Sequence, residues 1–301
     1  RATSLWAIAK GDVPAAHWAA LGRPFYAVGA LAGLRSWSGS MFEYLMPTLI
    51  LEEPHGSVLH SAAVAAVLEH IDYAREHNVP WGISESAYAA SDHTLAYQYA
   101  PQGVPRLALR RTPADELVIA PYATMLAAQV SPHRAASNLH RLESVRARER
   151  YGFIEALDYT PARQSGSEGV NRVYTFMAHH QGMSLLSFAY LLLDQPMQKR
   201  FASDPYFQAT LLLLQERIPK ATGPGHVGHR ADAPAFERAL RRFAACQRRR
   251  HQPLRRQHRL ALARRRLARR LRLLVLPALG PPADAGLAHA ASGTRPDRRL
   301  P

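Results

Sequence analysis

Apolar residues recur at three- and four-residue spacing through most of the first 220 positions. In SVLHSAAVAAVLEHIDYAREH (57–77), Leu59, Ala63, Ala66, Val67, Ile71 and Ala74 share one side and the charges take the other. That spacing predicts a helix that stops before Val79-Pro80, because the residue ahead of a proline is pushed out of the helical region. Similar runs predict helices over 115–129, 132–149, 172–194 and 205–217. Pro, Gly and Ser punctuate the connections at 54–56, 80–82, 103–105 and 164–169. Strand-like alternation is scarce, with 106–111 the one segment marked as a possible strand. The pattern predicts an all-α fold of antiparallel helix pairs. In such folds the loops at helix ends line a cavity and carry the chemistry.

The pattern breaks near Lys220, and charge shows why the break matters. The chain of 301 residues carries a formal charge of +15. Residues 1–220 hold 19 basic and 19 acidic side chains, whereas 221–301 hold 19 arginines against Asp232, Glu237, Asp284 and Asp297. The body is therefore neutral and has no electrostatic footprint for nucleic acid. The tail also lacks Lys, Tyr, Trp, Ile, Met and Asn. Its residue diet fits a GC-rich gene read out of frame, a reading preferred over an arm for nucleic acid or anionic lipid. The expected organisation is thus a folded domain over 1–220 and a disordered Arg-rich tail over 221–301. The single cysteine, Cys246, lies in the tail, so the body has neither a thiol nucleophile nor a cysteine zinc site. Arg1 in place of an initiator Met suggests a piece of a longer protein. Apolar runs such as 271–280 are too short to span a bilayer.

Four loop-associated stretches combine acids with aromatics or amides. SWSGSMFEYLMP (36–47) contains Trp37, Glu43 and Tyr44, and VPWGISESAYAASD (79–92) sets Glu85 among Trp81, Tyr88 and Asp92. YGFIEALDYTPAR (151–163) places Glu155 and Asp158 between tyrosines, and FMAHHQGMS (176–184) offers His179, His180 and Gln181. Sugar sites need this mixture, since aromatic faces cover pyranose rings while carboxylates, amides and imidazoles satisfy hydroxyls. Glycoside chemistry further needs two carboxyl groups flanking the scissile bond. Each cluster has an ordinary structural reading too. Ser84 or Ser86 could cap a following helix, Glu43 could pair with Arg35, and Glu155 with Arg163. Adjacent histidines on a helix point about 100° apart and do not readily share a metal, and the His55/His60 spacing is no ligand signature. Neither a metal site nor a cofactor is expected.

The order of IAKGDVP, HWAALGRP, SWSGSMFEYLMP, VPWGISESAY, YQYAPQGVP, IAPYAT, YGFIEALDYTPAR, MAHHQGMS and LLLQERIP resembles the cyclic β-1,2-glucan synthases of bacteria. Within that family it resembles the glucoamylase-like middle domain, over residues 1 to about 220. The resemblance implies an (α/α)6 barrel, incomplete at its N-terminal side, that closes a linear β-1,2-glucan into a ring by retaining transglycosylation. In the full-length family the domain lies between a membrane-embedded glycosyltransferase region using UDP-glucose and a phosphorylase-like region. The implied location is the cytoplasmic side of the bacterial inner membrane. The Glu of Gly-Ile-Ser-Glu-Ser, here Glu85, resembles one catalytic carboxylate, and its partner falls in a segment just before Arg1. Glu43 and Glu155 are the alternative members of the pair, or holders of glucose hydroxyls. Trp37, Tyr44, Trp81, Tyr88, Asp92, Tyr97, Tyr159, His179, His180 and Gln181 are expected to wall the cleft. A second reading is a non-catalytic glucan-binding fragment that lacks its acid/base residue. After Pro219 the family continues into β-rich sequence and this chain does not, in keeping with an out-of-frame tail.

Overall fold

A computed structural model describes residues 1–218 apart from 29, 30, 111, 112, 114 and 165. The expectations for the tail lie outside the described residues. The described chain is close to half helical. Two short helices, α1 (Ala2–Ala9) and α2 (Ala16–Ala20), lead into the hairpin β1 (Phe25–Val28) and β2 (Leu31–Leu34). After α3 (Met41–Leu45) comes the longest described helix, α4 (Val58–Glu76), and then the hairpin β3 (Ser86–Ser91) and β4 (Tyr97–Ala100). The strand β5 (Val118–Ile119) precedes α5 (Pro121–Ala127) and α6 (Pro132–Ser144). Four strands follow: β6 (Arg148–Glu149), β7 (Gly152–Phe153), β8 (Ala156–Asp158) and β9 (Asn171–Val173). The last described helices are α7 (Ala178–Leu192), α8 (Pro196–Ser203) and α9 (Pro205–Gln208).

The all-α expectation is thereby corrected to a helical body carrying small antiparallel sheets, β1-β2, β3-β4, β5-β8-β9 and β6-β7. The run at 115–129 divides because Val118 and Ile119 pair with Asp158 and Leu157 before Pro121 opens α5. Proline suits that first helical position, where its missing N–H has no intrahelical partner to lose. The run at 132–149 ends at Ser144, since Arg146 turns to a φ of 60° and Arg148 pairs with Phe153. The run at 172–194 begins as β9 on β8 and becomes helical at Ala178. Residues 205–217 form α9 and a 3-10 turn over Thr210–Gln215. At 106–111, a 3-10 turn over Pro105–Leu107 replaces the anticipated strand.

The predicted helix over 57–77 appears as α4, capped by the Ser57 hydroxyl, which accepts from the His60 N–H at 3.2 Å. Its buried face is mostly small residues, Ala62, Ala63, Ala65, Ala66 and Ala74 with Val58 and Val67, joined by the buried polar Glu69 and His70. Small side chains let the hairpin lie close, and a Cβ on Gly33 would stand 3.0 Å from Ala65 Cβ. Every residue of α5 is buried, and it packs between α3, α6 and α7 at the centre of the main core.

Candidate active site

Glu85 lies on the loop between α4 and β3, and that loop is tied down from several directions. His70 of α4 is fully buried and reaches both ways. Its Nε2 is 3.1 Å from the Gly39 carbonyl oxygen, and the Ile83 N–H donates to its Nδ1 at 3.3 Å. Burial lowers its pKa to about 4, although the Gly39 hydrogen bond opposes the shift. The ring is therefore the neutral tautomer with its proton on Nε2. Trp81 and Gly82, just upstream, are fixed by Asn138, which accepts from the Trp81 N–H at 3.1 Å and donates to the Trp81 carbonyl at 2.8 Å. Ser84 Oγ accepts from the Phe42 N–H at 3.0 Å, and the Met41 N–H donates to the Ile83 carbonyl. The 36–42 stretch and the Glu85 loop are thus stitched together. A second clamp closes on the first stretch. A Cβ on Gly103 would stand 2.1 Å from the Ser38 carbonyl oxygen, so the two loops touch backbone to backbone.

The half-buried Glu85 carboxylate accepts a hydrogen bond from the Tyr99 hydroxyl of β4 at 3.0 Å. The Tyr99 hydroxyl oxygen also lies 3.3 Å from His180 Nε2 and 3.4 Å from His179 Nε2, at the start of α7. His180 is buried, and its Nδ1 stands 2.9 and 3.0 Å from the two oxygens of the equally buried Glu155. The Ala87 N–H of β3 also donates to Glu155, at 3.2 Å. Tyr122 of α5 stacks flat on the His180 ring, with centroids 3.7 Å apart and planes 9° apart. Its hydroxyl is 2.8 Å from both the Glu85 carbonyl oxygen and Ser84 Oγ. Burial raises the Tyr99 pKa, and its hydrogen bond to Glu85 adds to the shift. Burial likewise raises that of Tyr122. For His179, burial and then the neighbouring His180 lower the pKa, while Glu155 and Glu85 act the other way.

The structure joins Glu85, Glu155, His179 and His180 into one network through Tyr99. It leaves other sequence candidates elsewhere. Glu43 accepts from the hydroxyls of Ser36, Ser38 and Ser40 and the N–H groups of Ser38 and Ser40, closing a capping box at the start of α3. Burial would raise its pKa, but the hydrogen bonds from Ser38 and Ser36 together hold it below the usual carboxylate range. Tyr44 is buried and donates to the Leu34 carbonyl at 2.8 Å. Both border a cavity of about 230 Å³ lined also by Trp18, Arg35 and Glu53, and none of Glu85, Tyr99 and the two histidines lines it. Trp37 is 65% exposed and Trp81 is buried. Tyr88 lies under the Arg163 guanidinium at 4.7 Å, Tyr97 packs on the sheet of Val118, Ala156 and Val173, and Tyr159 packs on the main core. Asp92 sits in the exposed β3-β4 turn, its carboxylate accepting from the Thr94 hydroxyl and N–H and the Ala96 N–H. Gln181 is half-buried one position past His180.

The anticipated structural pairings resolve differently. Strand β3, not a helix, follows Glu85, so neither Ser84 nor Ser86 is a helix cap. Glu155 pairs with His180, while Arg163 pairs with the buried Asp158 at 2.6 Å and with Glu116. Sequence reasoning missed Tyr99, Tyr122 and Gln102. Tyr99 belongs to YQYAPQGVP and follows Tyr97 by the two residues that place both on one face of a strand. Gln102 is buried beside Ser86, and its Nε2 has no partner among the described residues. The described residues contain no group of three or more His, Cys, Asp and Glu side chains arranged to hold a metal. They contain no helix long and apolar enough to cross a membrane.

Comparison with known proteins places the chain in a family. The sequence profile of the family Glycoamylase, described as "Putative glucoamylase", matches residues 3–205. The cyclic beta-(1,2)-glucan synthase NdvB of Rhizobium meliloti strain 1021 is 46% identical over 220 residues. That match covers 73% of this chain and 8% of the relative, so the chain spans a small fraction of the relative's length. Crystal structures under the same glucoamylase description are 21% identical from Bacteroides fragilis and 19% identical from Bacteroides caccae. The first match covers 65% of this chain and 46% of that one at a TM-score of 0.46, and the second 64% and 46% at 0.45. With two thirds of its length inside the family profile, the chain belongs to the glucoamylase-like (Glycoamylase) family.

Proposed function

We propose that residues 1–220 are the carbohydrate-active part of a cyclic β-1,2-glucan synthase, with Glu85 the group that acts on the glucan. On this reading the helices belong to an (α/α)6 barrel, and the reaction is a retaining transglycosylation that closes a linear chain into a ring. Glu85 attacks the anomeric carbon, directly or through a neighbouring sugar hydroxyl, as the glycosidic C–O bond breaks and the departing sugar oxygen takes a proton from a second carboxyl group; the hydroxyl at the far end of the same chain then displaces Glu85 in place of water and returns its proton to that group. Two displacements on one carbon restore the starting configuration. Ring closure over hydrolysis requires a cleft that keeps water from the intermediate. Joined regions for glucose polymerisation and chain trimming, and a place at the inner membrane, belong to the same proposal.

The observation that carries it is the half-buried Glu85 carboxylate, held by Tyr99 beside two imidazoles, on a loop fastened by His70 and Asn138. The test incubates the chain and its Glu85→Gln variant with linear β-1,2-glucan. A loss of about a thousandfold in product is expected, the scale for removing a covalent nucleophile. Unchanged product would take Glu85 out of the mechanism. One feature favours a second reading, a glucan-binding module without turnover. The carboxyl that shares the Glu85 network, Glu155, is locked against His180 and a backbone N–H. Saturable glucan binding with no product from the unmodified chain would select that reading.

A further inference from the structure

Tyr99 holds the carboxylate of Glu85, and a second hold on the same residue starts from α5. The chain entering α5 is zipped to the Glu85 loop, since Ile119 bridges Ile83 and the Ala120 N–H donates to the Gly82 carbonyl at 2.9 Å. Two residues further on, the buried Tyr122 arrives beside Ser84 and Glu85. Burial raises its pKa well above the ordinary tyrosine value, so the hydroxyl keeps its proton. A carbonyl oxygen can only accept, so the 2.8 Å contact with the Glu85 carbonyl takes the one phenolic proton. The Ser84 hydroxyl, at 2.8 Å, then gives its own proton to the Tyr122 oxygen while it receives the Phe42 N–H at 3.0 Å. A one-way chain of hydrogen bonds thus runs from the first turn of α3 to the main chain of Glu85. The ring of Tyr122 makes a separate contact, stacked on His180 with centroids 3.7 Å apart. His180 Nε2 lies 3.3 Å from the Tyr99 oxygen, and Tyr99 bonds the Glu85 carboxylate at 3.0 Å.

Resting on the proposed role of Glu85, we infer that Tyr122 is a positioning residue that holds Glu85 from both ends, its hydroxyl on the main chain and its ring, through His180 and Tyr99, on the carboxylate. The contacts close into a loop that begins and ends on Glu85, so its backbone and its side chain cannot shift independently. The hydrogen bonds of His70 and Asn138 hold Ile83 and Trp81, whereas that of Tyr122 reaches Glu85 itself. Tyr122 acts through Glu85 and not on the sugar, because it is buried in a helix whose every residue is enclosed. Placement matters on this scale, since a reacting group misplaced by about 1 Å loses about a hundredfold in rate.

Tyr122→Phe tests this, because it keeps the ring and its stack and removes only the grip on the main chain. Crystal structures of the chain and the variant read the hold without turnover. The expected result is a Glu85–Tyr99 separation beyond hydrogen-bond reach, about 3.5 Å or more, with the ring at position 122 still stacked on His180. With linear β-1,2-glucan, kcat falls by about tenfold to a hundredfold while KM stays within about twofold, a split that a general loss of stability does not produce. Ser84→Ala is the matched variant: it removes a buried hydrogen bond and leaves Tyr122 donating to Glu85. Its kcat falls by about threefold or less, and Glu85 stays on Tyr99. An unmoved Glu85–Tyr99 contact or an unchanged kcat in Tyr122→Phe overturns the inference. If that variant does not fold, a tenfold loss in folded Ser84→Ala overturns it instead, and a retained kcat supports it. Full activity of Glu85→Gln removes the functional reading, whereas the Glu85–Tyr99 separation in Tyr122→Phe still decides whether Tyr122 holds Glu85.

Discussion

Glu43 is the acid whose surroundings are most fully satisfied, with three serine hydroxyls and two backbone N–H groups directed at its carboxylate. Removing it would leave those donors partly unpaired and open the start of α3. The expected outcome for Glu43→Ala is a loss of about 1–3 kcal/mol, read as a lower urea midpoint at unchanged slope. The sign with pH follows from its lowered pKa. A depressed carboxylate stabilises the fold above its unfolded value, and that contribution fades as pH falls through the folded one. Acid unfolding should therefore lose part of its slope in Glu43→Gln. The contrast with Glu85 was only partly legible from residues. Ser36, Ser38 and Ser40 around a Glu three positions after a serine spell a capping box, whereas nothing in the letters around Glu85 points to Tyr99, 14 positions away.

Among the elements, α4 does two jobs, packing the hairpin on its alanine face and holding the Glu85 loop through His70. Protonating His70 would put a second N–H against the Ile83 N–H inside a buried site. Its folded pKa of about 4 lies below the ordinary histidine value, so the unfolded chain binds the extra proton first. Stability is fully retained above about pH 6.5 and declines towards pH 4, by roughly 3 kcal/mol for a shift of this size. Thermal melts across that range should show the decline, and His70→Gln should flatten it at the cost of a lower starting stability. A wild-type melting temperature independent of pH between 6.5 and 4 would contradict this. The helix itself was readable because 19 residues of steady period outweigh local noise. Strands β5 to β9 have two or three residues each, too few to carry any period; β5, β8 and β9 form because Val118, Ile119, Leu157 and Val173 find one another across the chain, and β6 and β7 pair as a short local hairpin.

At the scale of the whole molecule, the apolar surface is unevenly covered. Leu185, Leu192 and Leu193 of the α7 region, with Tyr206 and Leu212, stand exposed on one run of the chain, whereas α5 is wholly enclosed. Such a surface binds apolar dyes in a protein that is otherwise folded. The double variant Leu185→Glu and Leu192→Glu should lower anilinonaphthalene sulfonate fluorescence severalfold and leave the melting temperature nearly unchanged, as expected for positions outside the core. A large drop in melting temperature would show that the two leucines are packed. The helical body and the family were legible in the sequence. The convergence of β4, α5 and α7 around Glu85 was not, because it depends on contacts 14 to 81 positions apart. The tight turn around Asp92 has a practical use that follows from the same layout. Its carboxylate holds only its own neighbours, it faces water, and it joins the two strands that bear Ala87 and Tyr99. A fluorophore attached at His93 would ride on that hairpin and report on the surroundings of Tyr99 without touching it.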